Sequence, residues 1–132
     1  MIDPSLRHEI KGLDELFSII TGDGDLHDYK LESLTWDSNK RELTLVYSNE
    51  MWVEPSIGKT PHEIIFHIIP EWNSFKVDIS PHDPFTYGIE IDRSDSQISK
   101  YRFEAEGSGP IVNCEDIWVE IKEGDSHNIC KE

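Results

Sequence analysis

The spacing of apolar residues changes once along this chain, and the change limits what it can fold into. Leu6, Ile10, Leu13, Phe17 and Ile20 follow one another at intervals of four, three, four and three, which lines them along one face of a helix. Asp3 ahead of Pro4 supplies an N-cap and a first-turn residue, and Gly22 after Thr21 supplies a left-handed stop. The spacing predicts one amphipathic helix over residues 4–20. From Tyr29 onward the period is two. Leu43, Leu45 and Tyr47 alternate with Glu42, Thr44 and Val46, and Phe75, Val77 and Ile79 with Lys76, Asp78 and Ser80. Tyr87, Ile89 and Ile91, then Tyr101, Phe103 and Ala105, then Ile117, Val119 and Ile121 repeat the pattern, as strands with one wet face do.

Two segments depart from simple alternation. In the run from Ile64 to Ile69 only His67 is polar, so both faces of that strand are expected to be covered, with His67 as a core histidine bonded to backbone. Between Tyr29 and Asp37, Leu34 and Trp36 fall on one side and Tyr29 and Leu31 on the other, which leaves the register open. Turn residues separate the runs at Ser38-Asn39, Glu54 to Gly58, Pro81 to Pro84, Asp92 to Ser96 and Gly107 to Pro110.

One helix followed by about seven strands at hairpin spacing predicts an α+β domain. Its mostly antiparallel, curled sheet packs an apolar face on the N-terminal helix. With no helices between strands, parallel doubly wound folds and their nucleotide-binding crevices drop out. The 132 residues suit a single domain over 1–132. The chain starts Met1-Ile2-Asp3-Pro4-Ser5, with no basic or apolar leader, and no apolar run is long enough to span a bilayer, so a cytoplasmic location is expected.

Charge narrows the partners. Twenty-seven acidic residues face twelve basic ones, a formal net charge of -15, and the excess is spread evenly over both halves of the chain. Such a surface repels phosphate backbones and anionic lipid, which disfavours nucleic acid and membrane and favours a basic protein partner. Cys114 and Cys130 have no paired motif spacing. They read as reduced thiols, Cys114 in the core and Cys130 near the C-terminus.

The densest polar cluster is Gly22-Asp23-Gly24-Asp25-Leu26-His27-Asp28. A calcium loop counted from Asp23 would place His27 at its fifth position and Leu34 at its twelfth, where carboxylate ligands are required, so a Gly- and Asp-rich turn explains the cluster better. The six histidines form no helical zinc-hydrolase pair, although a metal site built from His27, Asp28 and His82 stays open as an alternative. There is no nucleophile elbow and no Gly-rich phosphate loop, so no catalytic residue and no cofactor is expected. Glu90 with Asp92, and Glu104 with Glu106, project in pairs from the polar side of their strands and read as solvated surface. Trp118 alternates out of phase with Ile117 and Val119, which puts it on the wet face beside Glu120. It is either an anchor for a protein partner or a ring covered by the segment from Asn49 to Pro61.

Leu26-His27-Asp28-Tyr29, the strand Lys30 to Asp37, its hairpin partner Glu42 to Tyr47, and the later runs Tyr101 to Gly107 and Val112 to Ile117 together carry a resemblance. The chain resembles the immunity protein 50 family of bacterial polymorphic toxin systems, in which an aromatic residue, His, Asp and a small residue open a strand after an amphipathic segment. Here Leu26 and Tyr29 stand in the aromatic and small positions. The resemblance implies a non-enzymatic protein that neutralises a toxin delivered by a neighbouring bacterial cell. His27 and Asp28 are the family motif, and a structural latch between turn and sheet accounts for them without any partner contact.

The expectation is therefore a cytoplasmic immunity protein that binds a basic toxin domain. Glu90, Asp92, Glu104, Glu106 and Glu120 would serve as phosphate mimics, with Trp118 as an anchor. The alternatives are an acidic interaction or assembly module, joined through a sheet edge or around Trp118, and a small metal-binding protein.

Overall fold

The computed structural model describes residues 2–19, 26, 29–48, 62–71, 76–78, 83–95 and 99–123. Seven strands form one sheet: β1 (Lys30–Asp37), β2 (Glu42–Ser48), β3 (His62–Pro70), β4 (Lys76–Asp78), β5 (Thr86–Arg93), β6 (Tyr101–Gly107) and β7 (Gly109–Glu123). They run in the order β1-β2-β3-β7-β6-β5, with β4 paired to the start of β7, and every strand pair is antiparallel. The mostly antiparallel sheet expected from the alternation is present, and it is not closed. Its two end strands nevertheless meet at one corner. There the Leu31 N–H donates to the Pro84 carbonyl at 2.9 Å and the Thr86 N–H to the Tyr29 carbonyl at 2.8 Å.

The helix predicted over residues 4–20 is instead two short pieces, a 3-10 turn at Pro4–Leu6 and a helix α1 (Leu13–Ile19). Gly12 separates them. Its φ of +85° is left-handed, and a Cβ there would stand 1.9 Å from the Val119 carbonyl oxygen, so only glycine fits. The break lets the Lys11 carbonyl accept the Val119 N–H at 2.8 Å, on the edge of β7 that β6 does not reach. A continuous helix would have spent that carbonyl internally. The predicted cap is present, since the Asp3 Oδ1 accepts the Ser5 N–H at 2.9 Å. The stripe is present in altered form: Leu6, Ile10 and Leu13 are buried, Leu16 joins them and Phe17 is partly buried. Ile20 and Gly22 lie outside the described residues. No helix among the described residues is long and apolar enough to cross a membrane.

Period-two alternation sorts the strands as expected, with three bulges that reset it. Leu43, Leu45, Tyr47, Ile64, Phe66, Ile68, Ile89, Ile91 and Phe103 are fully buried. Phe66 lies at the middle, edge-on to Tyr47 at 6.0 Å and to Phe103 at 5.1 Å between ring centroids. A register shift between Leu31 and Ser33 brings Leu31 opposite Tyr47 and Leu34 opposite Leu45, which puts both on the core face and resolves the open register of β1. A second shift between Thr86 and Gly88 overturns the expected burial of Tyr87. Tyr87 is 49% exposed and bonds Asp83, while Thr86 is buried in its place, its hydroxyl 2.8 Å from the carbonyl oxygens of both Gly88 and Glu106, which share its one proton. The third shift, opposite the β3 step from Ile69 to Pro70, lets Cys114 and Ile117 both face inward. The segment after the Gly107 to Pro110 turn is consequently strand throughout. Cys114 is buried as expected, and burial pushes its thiol up to about 12. Cys130 lies outside the described residues.

Candidate functional site

Because the core occupies one face of the sheet, charged groups collect on the other. Glu90 of β5 pairs directly with Glu104 of β6, and Glu106 is two residues further along the same face. Carboxylate oxygens of Glu90, Glu104 and Glu106 lie within 4.8 Å of one another. Arg102, opposite Asp92, binds Glu104 at 2.6 Å. Ile111, opposite Glu104 on β7, is 38% exposed and borders the cluster. Among the described residues these three glutamates come nearest to a donor set for a hard cation, though the Arg102 contact competes for Glu104.

A second group lies on the same face over β2, β3 and β7. His67 is not the backbone-bonded core histidine expected from its apolar strand. It projects from the face opposite Phe66, where its Nδ1 contacts the Glu42 Oε2 at 2.9 Å and its Nε2 the Glu120 Oε1 at 3.0 Å. Ionised carboxylates only accept, so the two contacts form together when each ring nitrogen carries a proton. The imidazole lies flat against Trp118, with centroids 5.2 Å apart and planes 5° from parallel. Its hydrogen bond holds the Glu42 carboxyl below the usual carboxylate range, with a further contribution from the Thr44 hydroxyl. The expectation that both faces of β3 are covered is met at Ile65, which is only 6% exposed.

A cavity of about 280 Å³ opens beside Trp118, lined by Glu9, Lys11, Tyr101, Asp116, Ile117 and Trp118. The N-terminal turn supplies Glu9 and Lys11, and β6 and β7 supply the rest. Arg93 grips Glu9 at 2.7 and 3.2 Å, and the Tyr101 hydroxyl donates to it at 2.6 Å. Together, the guanidinium first, they hold the Glu9 carboxyl below its ordinary range. Burial and the Glu9 contact raise the Tyr101 hydroxyl to about 12.

Of the residues singled out in the sequence, the structure brings Glu90, Glu104 and Glu106 together, with Asp92 beside them. Trp118 and Glu120 form a separate patch around His67 and the cavity. Trp118 is half-buried. The Asn49 to Pro61 segment, the alternative cover for this ring, lies outside the described residues, as do His27, Asp28 and His82. Glu42 and Asp116 carry no site signal in the sequence, and His67 is read there as a core residue and not as part of this face. For His67 the signal was available, since alternation through Ile64, Phe66 and Ile68 already places residue 67 on the other face. The chain matches no protein-family model, no curated protein and no solved structure.

Proposed function

We propose that this chain is a non-enzymatic immunity protein that neutralises a toxin domain by laying its acidic outer sheet face against a basic surface. The observation that carries this reading is the convergence of Glu90, Glu104 and Glu106 within 4.8 Å. Two bare carboxylates at that spacing repel by about 1 kcal/mol even in water, and the Arg102 contact relieves part of this at Glu104. A basic surface seated on this face gains from the clustered negative charge on contact. A chain of net charge -15 also steers such a partner toward itself over long range. The resemblance to the immunity protein 50 family supplies the kind of partner, a toxin domain, and the cytoplasmic setting in which it would be met.

The test is co-expression with the adjacent open reading frame, scored by growth rescue and co-purification, followed by association kinetics with the captured partner. Glu90→Lys with Glu106→Lys is expected to slow association by about tenfold at low salt and to flatten its salt dependence. A harmless neighbour that does not co-purify would remove the immunity reading. A captured partner that binds the double variant at the wild-type rate would move the contact to another surface.

A further inference from the structure

We infer that the cavity beside Trp118 is a socket for a single arginine side chain presented by a basic protein partner. This deepens the reading above and rests on it for the nature of the partner. At about 280 Å³ the space lies just below the roughly 300–1,000 Å³ of ordinary small-molecule sites, a size that suits one side chain better than a cofactor. Its walls combine what a guanidinium requires, a flat aromatic surface and a carboxylate acceptor at the rim.

Trp118 supplies the flat surface. His67 lies against the β3 side of the indole, parallel within 5°, while the cavity lies on the side of the N-terminal turn. The ring is therefore held from behind by an imidazole that two carboxylates fix in turn. A ring immobilised in this way loses little further freedom when a ligand stacks on it. Tyr101 is equally fixed through its bond to Glu9.

Asp116 supplies the acceptor. Glu9 has both oxygens committed to Arg93 and Tyr101, which removes it as a ligand. Asp116 spends its Oδ1 on the Ile117 N–H at 2.9 Å, and its second oxygen has no partner among the described residues. With Glu9 neutralised by Arg93, the remaining charged groups of the lining among the described residues are Lys11 and Asp116. The preference for a cationic occupant over an anionic one comes from the Asp116 oxygen and the indole wall, and from the net charge of -15 of the chain around them.

The full chain, labelled with nitrogen-15, would be titrated with N-acetyl-arginine amide while the Trp118 indole N–H resonance is followed, assigned by its loss in Trp118→Phe. The expected result is a saturable shift that N-acetyl-glutamate does not produce. Asp116→Asn keeps an acceptor for the Ile117 N–H and is expected to weaken the arginine probe by about fivefold. No shift, an equal shift with the glutamate probe, or an unchanged affinity in Asp116→Asn would each overturn the socket. None of these outcomes involves the partner. A complex that forms normally with Asp116→Asn and Trp118→Phe would sink the socket while leaving the immunity reading in place.

Discussion

His67 shows how much a single position can tie together. From the Phe66 side of β3 the sheet is dry and aromatic. From the His67 side one imidazole joins three strands, through Glu42 on β2 and through Glu120 and Trp118 on β7. The Glu42 carboxyl, held below its ordinary value of 4.5 by that bond, makes the arrangement sensitive to acid. A carboxyl depressed in the folded state contributes stability in full above its unfolded value and loses it as pH falls through the lower folded one. Glu42→Gln is therefore expected to cost about 1 kcal/mol at neutral pH. The cost should shrink toward zero at pH values below the folded carboxyl's range. Urea unfolding of both proteins across that range checks it, and a pH-independent difference would point to packing rather than charge. The side on which His67 lies was legible in the sequence. Its carboxylate partners were not, because they depend on pairing β3 with β2 and β7, and alternation within a strand carries no information about its neighbours.

Elements were legible where burial dictated pattern and illegible where backbone geometry did. β2, β4, β5, β6 and the second half of β7 fall on the alternating runs, because a half-buried sheet forces period two on its sequence. The bulges that reset β1, β5 and β7 leave no apolar signature of their own, so the exposure of Tyr87 and the continuous strand through Cys114 came only from the structure. The split helix has the same origin. The four-three spacing survives because Leu6, Ile10 and Leu13 face one core, yet the chain between them is bent at Gly12 to deliver the Lys11 carbonyl to β7. Gly12→Ala is thus expected to destabilise by at least about 2 kcal/mol, whereas alanine in a continuous helix would stabilise. The sign of the change in urea midpoint distinguishes the two. The candidate sites divide similarly. The Glu90, Glu104 and Glu106 face followed from alternation, while the cavity that joins Glu9 and Lys11 to Asp116 and Trp118 exists only because the bent N-terminal segment docks on β7.

The whole molecule carries an uncompensated net charge of -15, and part of it is concentrated where three glutamates meet. Self-repulsion of this kind opposes compaction and is relieved by screening. Raising sodium chloride from about 0.01 M to about 1 M shortens the screening length from about 30 Å to about 3 Å. Thermal or urea stability is expected to rise by about 1 kcal/mol over that range. A fall would mean that attractive pairs such as Arg93 with Glu9 outweigh the repulsion.

The order of the strands has a consequence for how the chain is made. β7 lies between β3 and β6 and follows both in sequence. While the polypeptide emerges from the ribosome, the β1-β2-β3 and β5-β6 portions can pair within themselves, but each keeps an open edge with nothing beside it. Those edges are the surfaces through which nascent chains stick to one another. These portions are therefore at greatest risk just before β7 appears. Insertion of that strand covers both edges and, through Val119 and Lys11, fastens the N-terminal turn to β7.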